Sequence, residues 1–128
     1  MRYPIELRYA DTDQLGIIYF ANHLIYADEA VTKFLKSVGV DIATLEKTGF
    51  TTVVAHAEIN FEKPLRYGEI CEVDISLEKL GNTSISFIFR VYGNGELKSH
   101  GKIVYVFVNN ILNKIEIPYV IREMLKNI

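Results

Sequence analysis

Two aspartates spaced by one residue, Asp11 and Asp13, stand in the stretch RYADTDQLGIIYFANHLIYADEA (residues 8–30), with Gly16 three positions further on. Asp side chains commonly bond backbone amides in turns, and for an arbitrary D-T-D that role alone is expected. Three features give Asp13 a second reading, as a base or nucleophile. The apolar run LGIIYF after it can strip water from a nearby carboxylate and raise its basicity. Gly16 permits a bend, or a close approach by backbone or ligand. A helix starting a few residues later offers unpaired N–H groups and about half a positive charge. A carboxylate beside such donors couples a base or nucleophile to an oxyanion site. On residue type and spacing, both readings stand.

Other chemistry has less support. The D-x-D with a following glycine imitates a calcium loop, but Leu15 and Asn22 fall where that loop needs an oxygen ligand and a bidentate glutamate. Asp28 and Glu29 sit within the helical stretch and do not converge on the aspartate pair, so no metal is expected. His23, His56 and His100 have no nucleophile and carboxylate close in sequence to complete a triad. No G-x-S-x-G elbow surrounds Ser84 or Ser86. Cys71 alternates with Val73 and Ile75, the pattern of a core thiol. Neither G-x-G-x-x-G nor a P-loop is present, and no cofactor is expected.

The elements that must position Asp13 follow from hydrophobic period. Tyr3, Ile5, Leu7 and Tyr9 alternate with polar residues, predicting a strand over 3–9. Ile25, Tyr26, Ala30, Phe34, Leu35 and Val38 recur at helical spacing, predicting a helix over 22–38 with Asn22 as N-cap and Gly39 just past its end. Residues 41–49 read as a short second helix. Period two returns at 51–64, with Val53, Ala55, Ala57, Ile59 and Phe61 set against Val54, His56, Glu58 and Asn60, and again at 71–78, 82–92 and 97–109. GNG (93–95) marks a hairpin turn, and Pro118 opens a C-terminal helix running to the chain end. Connections this short make the sheet antiparallel. The fold class is α+β. SISFIF and IVYVFV are apolar on both faces, more surface than one helix can cover, so an oligomer is expected.

The 128 residues fit one domain, 1–128, and 49% hydrophobic with 23% charged residues is ordinary for a folded chain. A net charge of −2 with scattered Lys and Arg gives no footprint for nucleic acid. A single cysteine favours a reducing, cytoplasmic setting, and no apolar run reaches membrane-spanning length, so no membrane insertion is expected.

The 8–30 stretch resembles the 4-hydroxybenzoyl-CoA thioesterase-like branch of the hot-dog-fold acyl-CoA thioesterases, which includes the thioesterases of the Tol–Pal gene cluster. That branch carries D-x-D-x-x-G-x-x-[YF] ahead of its long helix, matched here by Asp11, Asp13, Gly16 and Tyr19. The likeness continues through Pro64–Glu69 and Gly81–Ser84 and covers most of residues 2–108. It implies a hot-dog fold, about five antiparallel strands wrapped around one long central helix. It implies hydrolysis of an acyl-CoA to free acid and CoA, in a homodimer or homotetramer with substrate between subunits; a noncatalytic acyl-binding or assembly module is the alternative. By this resemblance Asp13 is the catalytic residue and Asp11 a local support. Helix-entrance amides at or near Phe20 polarise the thioester carbonyl. Gly16, Tyr19, Phe20, Thr52, Val53 and Val54 line the substrate. Some relatives carry histidine at the Phe20 position, and others carry basic residues where Gly81, Asn82 and Thr83 stand.

Overall fold

The computed structural model describes residues 1–126. The chain runs β1 (Arg2–Ile5), α1 (Asn22–Ser37), α2 (Ile42–Leu45), β2 (Phe50–Phe61), β3 (Cys71–Leu80), β4 (Ser84–Gly93), β5 (Glu96–Asn109) and α3 (Tyr119–Lys126). One antiparallel sheet has the order β1-β3-β4-β5-β2, leaving β1 and β2 at its two edges.

The long helix forms as its period implies. His23, Tyr26, Ala27, Ala30, Val31, Phe34 and Leu35 make one buried stripe, and Phe34 meets Phe87 of β4 edge-on at 5.5 Å. Full burial of a side chain such as Phe34 is worth about 1.5–3 kcal/mol. Gly39, at φ +96°, lets the chain leave the helix, and the Val40 amide returns to the Leu35 carbonyl at 2.8 Å. Ile25, expected inside, is exposed. Asn22 is the first helical residue, not the cap; its side-chain amide reaches back to the Asp11 carbonyl at 3.0 Å.

Two expected strands differ. β1 ends at Ile5, whose partner Cys71 begins β3; beyond it no neighbouring backbone remains to pair with. The chain instead turns through a short 3-10 segment, Tyr9–Asp11, and Tyr9 is exposed. In β2 the pairing steps from Val54↔Tyr105 to His56↔Val104, so Ala55 is bulged. Directly opposed residues share a face. Thr52, Val54, Ala57, Ile59 and Phe61 therefore lie on the helix side with Phe107, Tyr105 and Ile103, while Val53 joins His56 and Glu58 on the outer side. An unbroken alternation through 51–64 misplaced Val53 for that reason. The β4–β5 turn has positive φ at Asn94 and Gly95, as expected of a two-residue hairpin. The C-terminal helix begins one residue after Pro118; Asn127 and Ile128, included in its expected span, lie outside the described residues.

Candidate active site

Residues 11–19 fold back on themselves ahead of α1. Thr12 bridges Ile18, the Tyr19 amide donates to the Asp11 carbonyl at 2.8 Å, and the Asp13 amide donates to the Ile17 carbonyl at 2.7 Å. The tip turns at Gly16, whose φ of +74° is available to glycine without strain. This narrow hairpin is held in place by the 65–67 segment: the Ile18 amide donates to the Leu65 carbonyl at 2.8 Å and the Tyr67 amide to the Gly16 carbonyl at 3.1 Å.

Asp13 sits on the outgoing arm with its two oxygens in different situations. Oδ1 accepts from the amides of Leu15 (2.8 Å) and Ile17 (3.1 Å). Oδ2 has no partner among the described residues, and the side chain is exposed. The apolar run after it does not desolvate it within this chain. Leu15 is 76% exposed, Tyr19 51% and Phe20 60%, because the hairpin projects away from the core. Where the returning arm runs into α1, the amides of Asn22, His23 and Leu24 are taken by the carbonyls of Tyr19, Phe20 and Ala21. Those of Phe20 and Ala21 have no acceptor among the described residues. A carboxylate with one fixed and one free oxygen thus stands on the hairpin, and two unclaimed amides follow between the hairpin and the first turn of α1.

Asp11 has the opposite character. Its Oδ2 accepts from the Tyr26 hydroxyl at 2.8 Å and its Oδ1 from Arg8 at 3.0 Å. The Tyr26 bond, helped by Arg8, holds Asp11 below the usual carboxylate range, and burial together with Asp11 pushes Tyr26 up. The pair ties the hairpin to α1. Tyr26→Phe is expected to lower stability at pH 7 by about 2 kcal/mol, the scale of a hydrogen bond to a charged group. Because the folded state depresses Asp11, its contribution is present above the unfolded value near 3.9 and lost as pH falls further. Urea titrations at pH 7 and 3 should therefore show the two proteins converging in acid.

A cavity of about 280 Å³ opens beside the hairpin, lined by Ile17, Ile18, Phe20, His23, Phe61 and the 62–65 segment. The ring of Phe20 meets Tyr19 at 4.8 Å and Phe61 at 6.1 Å. His23 is 2% exposed; its Nδ1 lies 2.7 Å from the Ser99 hydroxyl, itself fully buried, and its ring is edge-on to Phe61 at 5.1 Å. Burial pushes the imidazole down to about 4. An unfolded histidine titrates near 6.5, so below that pH the unfolded chain takes up a proton the folded one refuses. Stability should fall by up to about 3 kcal/mol as pH drops from about 6.5 to 4. His23→Gln should flatten that part of the curve in denaturant titrations; an unchanged slope would place its origin elsewhere.

Among the residues singled out by sequence, Asp13, Gly16 and Tyr19 lie on the hairpin, and Phe20 follows it directly, its ring against Tyr19. Thr52, Val53 and Val54 are not. They pair with Phe107, Val106 and Tyr105, seven to nine positions along β2 from Phe61, roughly 23–30 Å away within the chain. Asp13 lines neither this cavity nor the wider groove of about 940 Å³ between β1, α1 and residues 67–71. His23, Phe61 and Ser99 were not legible as a group. Their meeting rests on the pairing Phe61↔Ser99, and that pairing depends on a register that residue type does not show.

The five-stranded sheet and its long helix make a hot-dog fold, and comparison with known proteins places the chain among the thioester hydrolases. Residues 7–125 match the thioesterase-like superfamily, and the chain belongs to it. The match stands at the level of the superfamily, a coarser placement than the Tol–Pal branch. YneP of Bacillus subtilis, provisionally named an acyl-CoA thioesterase, is 36% identical over 94 residues, which span 73% of this chain and 68% of that protein. A 1,4-dihydroxy-2-naphthoyl-CoA hydrolase of Thermosynechococcus vestitus is 32% identical over 94 residues, 73% of this chain and 64% of its own. A thioesterase of Thermus thermophilus, solved with coenzyme A and zinc, superposes with a TM-score of 0.84 at 28% identity, covering 98% of this chain and 91% of that one. No helix among the described residues is long and apolar enough to cross a membrane.

Proposed function

We propose that this protein hydrolyses the thioester of an acyl-CoA to free acid and CoA, with Asp13 as base or nucleophile and the Phe20 and Ala21 amides as oxyanion donors. The observation that carries this reading is the asymmetry of Asp13: two backbone amides hold one oxygen while the other is left free, and two unclaimed N–H groups follow where the hairpin runs into α1. In the nucleophilic route Oδ2 bonds to the carbonyl carbon, the C–S bond breaks, the thiolate takes a proton from water, and a second water cleaves the mixed anhydride. In the general-base route Asp13 takes a proton from water, hydroxide adds to the carbonyl, and the proton passes to the departing sulfur. A single turnover in ¹⁸O-water separates them, since only the first can pass an oxygen between the Asp13 carboxyl and the product acid. Membership of the superfamily and the names of its relatives support thioester hydrolysis generally. Free thiol release from a panel of aliphatic and aromatic acyl-CoAs tests the reading: purified protein should release CoA from at least one, and release from none would overturn it.

The same reading includes a homodimer or homotetramer with reducing, cytoplasmic residence, the latter supported by the free, buried Cys71. β2 is a twelve-residue edge strand exposed on both faces. Two copies joined antiparallel about Ala57 set His56 opposite the partner's Glu58, and the reverse, a pairing of complementary charge. That arrangement also carries the partner's Thr52 and the partner's Val54 toward Phe61, where the cavity begins, and covers the exposed rings around Asp13. Light scattering should give a dimer or tetramer; a monomer at micromolar concentration would contradict it.

A further inference from the structure

Within the cavity beside the hairpin, His23 is a group the hydrolytic chemistry leaves unused. Phe20, Phe61, Ile17, Ile18, Pro64 and Leu65 supply apolar wall. The two charged residues on its rim are committed elsewhere, Glu62 to His100 at 2.9 Å and Lys63 to Glu96 at 2.8 Å. His23 is different. Its Nδ1 is fixed by Ser99, and Nε2 has no partner among the described residues. Yet no buried polar side-chain atom is left unsatisfied there. Nε2 therefore keeps an opening, and His23 is one of the residues that line the cavity. One oriented polar atom in an apolar recess is the arrangement that fixes a ligand's orientation.

We propose that His23 is a specificity-determining residue, its Nε2 hydrogen-bonding an oxygen substituent on a compact acyl group seated in this cavity. The inference rests on the thioesterase reading for the identity of the ligand. Size sets the first limit. An apolar cavity of about 150 Å³ holds one benzene, so about 280 Å³ accepts a substituted ring or a short branched or hydroxylated chain, and a long unbent fatty chain overfills it. Chemistry sets the second. A site built to bond a substrate oxygen rejects the analogue lacking it, because its own polar atom is then left unpaired. Ser99 keeps the ring from turning Nε2 away, and burial holds the imidazole neutral near pH 7, so the cavity offers a hydrogen-bonding group without a charge.

Hydroxyaryl and short hydroxyalkyl acyl groups share this chemistry, and paired substrates separate them: benzoyl against 4-hydroxybenzoyl-CoA, and butyryl against 3-hydroxybutyryl-CoA. The oxygenated member of at least one pair should have a kcat/KM about tenfold higher or more, and palmitoyl-CoA should be poor. In His23→Phe that ratio should collapse toward one, and His23→Gln should keep part of it. Because these variants alter a buried position, a second measurement uses the unmodified protein. The ¹⁵N resonance of His23 Nε2 should move on addition of 4-hydroxybenzoate or 3-hydroxybutyrate and stay in place with benzoate or butyrate. Equal rates within both pairs, a ratio unchanged in His23→Phe, or equal shifts with the deoxy acids would overturn the assignment. Thiol release from no acyl-CoA would overturn the thioesterase reading instead, and the resonance titration would still decide the role of His23.

Discussion

Asp13→Asn is expected to slow thioester hydrolysis by about a hundredfold or more, the scale of a lost general base or nucleophile, while leaving stability within about 0.5 kcal/mol. The separation of the two effects follows from the two oxygens. An asparagine side-chain oxygen can still accept from the Leu15 and Ile17 amides, so the hairpin keeps its shape. What replaces Oδ2 is an amide nitrogen, which neither attacks a carbonyl nor takes a proton from water. Asp13→Ala should behave differently. It also leaves two turn amides without their acceptor, so both activity and the denaturant midpoint should drop. Thiol release and urea unfolding on the two variants read this directly; an active Asp13→Asn protein would remove Asp13 from the chemistry.

Gly101→Ala is expected to destabilise the fold by about 3 kcal/mol or more, the upper range of overpacking. Gly101 lies between Ile59 of β2 and Phe89 of β4, and a Cβ there would overlap the carbonyl oxygen of Glu58. That obstacle is backbone, so no side-chain rotation relieves it, and β2 must lift from β5. Phe61, two positions beyond Ile59, would move with it, opening the cavity and freeing His23 from its edge contact. Turnover should therefore fall together with stability, although Gly101 lies far along the chain from Asp13. Gly95→Ala is the control. Its added carbon meets nothing within 4 Å, and only the positive φ opposes it, at about 1 kcal/mol. Equal midpoints for the two variants in urea would refute the close approach at Gly101.

The contrast between these two predictions marks where sequence was informative. The helix, the antiparallel strands and the GNG hairpin were legible because each rests on local periodicity or on backbone demands carried by a few residues. The D-x-D-x-x-G spacing was legible for the same reason: the whole hairpin is local, closed by bonds between residues at most eight apart. The end of β1 was not, since it is set by where β3 begins. Nor was the bulge at Ala55, which turns Val53 to the opposite face from Phe61 without any signal in residue type. His23 looked like a packing residue, and in one respect it is; its second nitrogen acquires meaning only from the cavity that distant Phe61 and Leu65 enclose. The exposure of Asp13 is a further case. An apolar sequence neighbour was expected to desolvate it, but the hairpin carries Leu15 and Tyr19 outward, away from the core.

The central claim is that the hairpin and the helix entrance that follows it present a carboxylate and unclaimed amides to the same thioester carbonyl. Its most direct test is a crystal structure of Asp13→Asn with an intact acyl-CoA that the wild-type protein hydrolyses. The carbonyl oxygen should sit about 2.7–3.1 Å from the Phe20 or Ala21 nitrogen, with the residue 13 side chain on the opposite flank of the carbonyl carbon. A thioester bound away from the leading end of α1, with residue 13 facing only solvent, would contradict the account.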